Sequence, residues 1–216
     1  MTEGEWAAGT EPGPGPLLEW LRTEGKATER KLRLFAASAF GRFIRLLPDP
    51  RQRRGVEVLE EVAEGAVTWA ACRVVATEVR QAIPRDNRLS DALPADDPHY
   101  IALMLYREFC SSAIANHAVH ATAGLAEGAG EQQAQAHLVR CVFNPFALAF
   151  DPHWITPTAY ALAESAYEDR AFDRLPILAD ALEDAGCEDE AVLNHLRGPG
   201  PHCRGCWVVD LVLGKS

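Results

Sequence analysis

Four residues near the C-terminus, Gly198-Pro199-Gly200-Pro201, leave the chain little conformational choice. Each proline holds φ at about −65° and lacks an N–H, so neither a helix nor a central strand passes through them, while the glycines let the backbone reverse. This hinge separates a short helical pattern at residues 188–196 from the apolar run CWVVDLVL at residues 206–213. Upstream, Leu175, Leu178, Ala179 and Leu182 form a helical stripe. Asp173 is its expected N-cap, and Gly186 stands where a left-handed residue ends a helix. Residues 171–214 therefore read as one unit of two short helices, a hinge and a final apolar segment. The valines of that segment suit a strand, but Trp207, Asp210 and Leu211 share a helix face and Gly214 is a natural terminator. Helix is the reading, because no other segment supplies a pairing strand.

The rest of the chain repeats the helical period. Thr2 and Glu5 have the spacing of a capping box, opening a short helix that ends near Gly9. EPGPGP is a turn, and Pro16 suits the first turn of a helix carrying Leu17, Leu18 and Leu21. Leu32, Phe35, Ala39, Phe43 and Leu46 recur every three or four residues, which predicts a helix over residues 28–47 stopped by Pro48 and Pro50. A stripe at Val56, Leu59 and Val62 follows, broken at Gly65, and another helix ends near Pro84. Residues 85–98 read as a polar loop, residues 100–123 as a long helix opened by Asp97 and Pro98, and residues 132–143 as a further helix. Thr156 and Pro157 open a helix through Tyr167. The expectation is an all-α, irregular multi-helix bundle with a C-terminal helical hairpin unit. Residues 1–143 form its N-terminal part, and residues 144–216 form a subdomain packed on it as one cooperative domain.

Composition bounds the function classes. The 216 residues are 48% apolar and 24% charged, the balance of a chain that buries a core. The net charge of −10 argues against bulk attraction to nucleic acid or anionic lipid. Residues 22–54 nevertheless hold ten Lys/Arg against three Asp/Glu, a local excess of +7 that leaves −17 on the remainder. No apolar run is long enough to span a membrane. The N-terminus is acidic and polar, without a basic segment followed by an apolar one, so a cytoplasmic protein with reduced thiols is expected.

The residues best suited to chemistry are Cys187, His195, His202, Cys203 and Cys206. Cys203-Arg-Gly-Cys206 has the spacing of a zinc knuckle, and Cys187 with His202 or His195 completes a tetrahedral set of soft donors for zinc. One CxxC pair is half a motif. The plainer reading makes Cys187 filler behind a helix end, Cys206 a small core residue beside Trp207, and the two histidines surface groups. A second cluster, Cys110, His117 and His120 with His137 on the next helix, has the period of one helix face and is weaker still, since an Ala-rich helix often carries such residues at its surface. Catalytic signatures are absent: there is no GxSxG, HExxH, GxxxxGK[ST] or GxGxxG. The arginines Arg42, Arg45, Arg51, Arg53 and Arg54 form a candidate interaction patch, for phosphate or for a protein, although no aromatics interleave them for base stacking.

The wording of two regions carries a resemblance. AFDRLPILADALEDAGC, HLRGPGPHCRGCWVVDLVLG and FNPF, together with LLEWLR and KATERKLRLFA, resemble a large paralogous family of bacterial proteins with no assigned activity. The likeness covers residues 2–60 and 143–215, and LPILADALEDAGCEDEAVLNHLR distantly resembles the repeat-companion domain. It implies that position 203 is variable, and that Cys206 and Trp207 belong to a shared packing pattern. The resulting expectation is a non-enzymatic module that docks a protein partner. The alternatives are a small zinc protein or a nucleic-acid-associated protein using the Arg42–Arg54 region.

Overall fold

The computed structural model describes residues 1–9, 13–47, 49–82, 129–146 and 150–215. Among these the protein is all-α: ten α-helices, short 3₁₀ turns and no strand. No described helix is long and apolar enough to cross a membrane. The chain divides into two compact units, Met1–Val139 and Arg140–Ser216, so the division falls just before the expected boundary at residue 144.

The first unit contains α1 (Glu3–Ala8), α2 (Pro14–Thr23), α3 (Glu29–Gly41), α4 (Pro50–Ala63), α5 (Trp69–Gln81) and most of α6 (Ala129–Val142). The capping box at α1 forms in full: Thr2 Oγ1 accepts from Glu5 N at 3.2 Å, and Thr2 N donates to Glu5 Oε2 at 2.7 Å. The helix expected over residues 28–47 is shorter. It ends at Gly41, and the remainder becomes a 3₁₀ turn at Ile44–Leu46 before the extended Leu47. Glycine is among the poorest helix residues, and a residue before proline is held out of the helical region. α3, α4 and α5 pack in sequence around a core that includes Phe40, Leu47, Val56, Leu59, Cys72 and Val79. The polar loop, the long helix and the cap expected within residues 85–123, with Cys110, His117 and His120, lie outside the described residues.

The second unit begins in the last turn of α6 and continues through α7 (Pro157–Glu168), α8 (Leu175–Asp184), α9 (Glu190–Arg197) and α10 (Trp207–Leu213). α8 packs against α7 and α9, and α10 packs against α7 and α9. Thr156 caps α7 as expected, accepting from Ala159 N at 3.1 Å. Asp173 does not cap α8. It lies in a 3₁₀ turn, Phe172–Arg174, and α8 opens at Leu175 with Pro176 in its first turn. Gly186 ends that helix with φ 91°, its N–H donating to Glu183 O at 2.9 Å. α10 is helical and stops at Gly214 with φ 65°. Its inner face differs from expectation: Trp207, Val208, Val209 and Val212 are buried, whereas Leu211 is exposed. Asp210, beside it, is buried as well, at 2% exposure.

Two consecutive residues of α8 separate core from surface. Leu178 is 1% exposed and Ile177 is 54% exposed. Leu178→Ala is expected to cost about 2–5 kcal/mol through the cavity it leaves. Ile177→Ala should stay within about 0.5 kcal/mol of wild type, because it leaves no buried cavity. Urea denaturation of both variants measures the contrast.

Candidate metal centre

Four side chains of the second unit converge: Cys141, His195, His202 and Cys206, with one ligand atom from each lying within 4.8 Å of all the others. Each comes from a different piece of local structure. Cys141 sits in the last turn of α6, one residue from its end at Val142. His195 lies in α9, which Asp189 starts by accepting from Ala191 N at 2.9 Å and Val192 N at 3.1 Å. Val192 and Leu196 are fully buried in the same helix, and they hold the His195 face inward. His202 follows the hinge. Cys206 closes a tight turn in which its N–H donates to Cys203 O at 3.0 Å, with Gly205 at φ 87°, and then opens α10.

The hinge is shaped around His202. Gly200 adopts φ 72°, and a Cβ built there would stand 2.9 Å from His202 N and 3.1 Å from His202 Cδ2. Arg204 anchors the following turn to the C-terminus of α7. Its Nε donates to Tyr167 O at 3.1 Å and its Nη2 to Glu168 O at 3.3 Å, so a cation meets the negative end of a helix. The Arg204 guanidinium and the Lys215 ammonium also lie over the buried Tyr167 ring, at 5.3 Å and 4.5 Å from its centroid. Arg197 ties α9 to α8 through Asp180 at 2.7 Å and Glu183 at 2.5 Å.

The donor geometry is specific. His202 Nδ1 lies 3.6 Å from Cys141 Sγ, and His195 Nε2 lies 3.2 Å from Cys206 Sγ. The two imidazole rings meet edge-on with centroids 5.0 Å apart, and Trp207 packs on His195 at 5.1 Å. The other nitrogen of His202, Nε2, faces Gly198 O at 3.4 Å. A carbonyl in that position fixes the tautomer that leaves Nδ1 with a lone pair directed at the cluster. Both sulfurs are buried and both imidazoles are half-buried.

Electrostatics separates the two thiols. Burial pushes the Cys141 thiol well above the ordinary thiol range, and its hydrogen bonds to Cys203 and Cys206 add to the shift. Burial acts on Cys206 in the same sense, but hydrogen bonds from Cys141, His195 and His202 and the charge of His195 outweigh it and hold Cys206 well below that range. Burial opposes a charge on His202, yet the Cys206 sulfur and the Gly198 carbonyl raise its pKa. Without an ion, thiolate character is therefore favoured at Cys206 and disfavoured at Cys141.

Of the expected zinc donors, His202 and Cys206 are in the tetrad, as is His195. Neither histidine is a surface group. Cys203 is buried and is not among the four converging donors. Cys187 is not in the tetrad. It is 1% exposed behind the end of α8, its N–H donating to Leu182 O at 2.9 Å, which is the filler role. Cys141 is the member of the tetrad that sequence spacing missed. It stands 61 positions from His202, on a helix face where it reads as an ordinary core residue.

Four of the five candidate arginines, all in the first unit, are engaged within it. Arg42 makes a two-point contact with Glu131 at 2.7 and 2.9 Å, Arg51 pairs with Asp49 at 2.6 Å, and Arg54 pairs with Glu57 at 3.1 Å and Glu61 at 2.6 Å. Arg53 donates to Leu47 O, and Arg45 is exposed. Guanidinium groups forked onto carboxylates have fewer donors to offer a phosphate. No family model matches the chain, nor does any curated protein or any solved structure.

Gly200→Ala combines a left-handed φ with a backbone clash against His202. It is expected to cost about 1–3 kcal/mol. Gly4→Ala, in α1 with nothing near its Cβ position, should gain up to about 1 kcal/mol. Thermal melts of the two variants check this.

Proposed function

We propose that the Arg140–Ser216 unit is a zinc-binding module in which Cys141, His195, His202 and Cys206 hold one Zn²⁺. The observation that supports this reading is the convergence of two sulfur and two imidazole donors at one point. A tetrahedral zinc with Zn–S of about 2.3 Å and Zn–N of about 2.0 Å sets sulfur and nitrogen about 3.5 Å apart. The two pairs here, at 3.6 and 3.2 Å, bracket that value. Those separations also suit two isolated N–H···S hydrogen bonds. Pairwise bonding, however, does not require all four ligand atoms to meet, and it leaves unexplained why a carbonyl holds His202 from behind. Thiolate and imidazole together select zinc over magnesium, calcium or manganese.

The role we infer is structural. Four protein donors complete the usual coordination of zinc and leave no position for a substrate or an activated water. The ion fastens the hinge and the Cys206 turn to the ends of α6 and α9. Zinc sites of this kind contribute about 10–16 kcal/mol at neutral pH. That is comparable with the entire net stability of an ordinary domain, about 5–15 kcal/mol. A zinc-fastened helical module of this type suits docking to a protein partner, with Tyr160 and Ile177 of the same unit exposed as apolar contact points. The paired arginines make nucleic acid the less favoured partner.

Elemental analysis of protein purified without chelator should find about one zinc per chain. His202→Ala and Cys141→Ser should lose the metal, and Cys187→Ser should retain it. Metal-free wild-type protein that cannot be loaded with zinc overturns the reading. Chelation is also expected to lower the melting temperature of wild type while leaving that of Cys141→Ser nearly unchanged, since the variant has no ion to lose.

A further inference from the structure

The hinge of the second unit borders a cavity of about 210 Å³. Phe172, Pro176, Leu196 and Pro199 give it an apolar lining, His202 is part of its wall, and Asp173 is the one acid that lines it. Clefts that enclose drug-sized ligands measure roughly 300–1,000 Å³, so the space here suits a single side chain.

We propose that this cavity takes an arginine side chain from a protein partner. This deepens the docking role inferred above, and it meets the zinc reading only at His202, which the cavity shares with the metal centre. The charge pattern favours a cation over an anion. Asp173 is exposed, and its carboxylate forms no ion pair or hydrogen bond among the described residues. Leu196 and Gly198 belong to the C-terminus of α9, the negative end of its dipole. Donors that an anion would need are missing where α8 begins: Pro176 has no N–H, and the Leu175 N–H donates to Phe172 O. The unit as a whole holds six Lys/Arg against twelve Asp/Glu, a net of −6 that draws a basic partner.

Nearby positive charge does not oppose this. Arg197, in the last turn of α9, is forked onto Asp180 and Glu183 and does not line the cavity. Zn²⁺ held by two thiolates is electrically neutral, so a filled centre adds no net charge behind His202. Arginine fits better than lysine. Its guanidinium is planar and weakly hydrated, stacks on aromatic faces and forks onto carboxylates, and here a half-buried Phe172 and the Asp173 carboxylate are consecutive. The lysine ammonium is compact and strongly hydrated, and an apolar lining strips it of water without a planar group to stack.

The test uses the full chain as purified, with zinc content measured on the same sample. It is titrated at low salt with capped tripeptides carrying arginine, lysine, norleucine or glutamate between two glycines. Binding is read from the NMR shifts of the Phe172, Asp173, Gly198 and Gly200 amides. The arginine peptide should shift these amides and saturate at the lowest concentration, with lysine weaker, while norleucine and glutamate leave them in place. Asp173→Asn should weaken arginine binding about twofold to fivefold, the range of an exposed ion pair. Its melting temperature should match wild type, because Asp173 caps no helix. Phe172→Leu, which keeps an apolar side chain but removes the ring, should erase the preference for arginine over lysine. The proposal is overturned by an arginine peptide that leaves these amides in place, by equal shifts from norleucine or glutamate, or by an Asp173→Asn protein that binds arginine as wild type does. A sample without zinc counts against the metal centre, and its titration still decides the cavity.

Discussion

The second unit depends on one constraint: four polar donors must meet inside a small helical body. Placing two thiols and two imidazoles in a space screened from water is costly unless each finds a partner. Here every donor has one, either another member of the cluster or, for His202, the Gly198 carbonyl at 3.4 Å. The surrounding features follow from that demand. Gly200 is bare because His202 passes within 2.9 Å of where its Cβ would be. Arg204 reaches back to the carbonyls of Tyr167 and Glu168, so the turn carrying Cys206 cannot swing away.

The helices that bear the donors would not persist alone. α9 has eight residues and α10 seven, well under the length at which isolated helices hold together in water. They are kept by burial of Val192 and Leu196 in one and Val208, Val209 and Val212 in the other. Fastening both, with the end of α6, to a single ion would remove the freedom of the loop between them. A metal there acts on the same degrees of freedom that a longer apolar core would otherwise have to restrain.

Much of this was legible from residues 171–214. The helix ended by Gly186, the break at Gly198-Pro199-Gly200-Pro201 and the terminator at Gly214 are local stereochemical facts, and the backbone takes the conformations they require. Thr2, Thr28, Asp49, Thr68 and Thr156 each cap the helix that follows. The departures have equally local causes. Gly41 ends α3 before its apolar period runs out, and Pro176 draws the start of α8 past Asp173. In α10 Leu211 is exposed while Asp210 beside it is buried.

The sequence by itself determined an all-α chain and a C-terminal loop rich in cysteine and histidine, since turn residues and helical period act over a few positions. Only tertiary structure decided which of those residues meet. Cys141 joins His202 across 61 positions because the end of α6 lies beside the hinge loop, a relation that no spacing rule encodes. Cys187 drops out for the opposite reason: it is close in sequence, but the end of α8 keeps it packed there as core. Composition likewise carries the sign of the basic stretch but not the partners its arginines meet. The carboxylates that pair with Arg42 and Arg54 come from Glu131 of α6 and from Glu57 and Glu61 of α4, and packing alone brings Glu131 to Arg42.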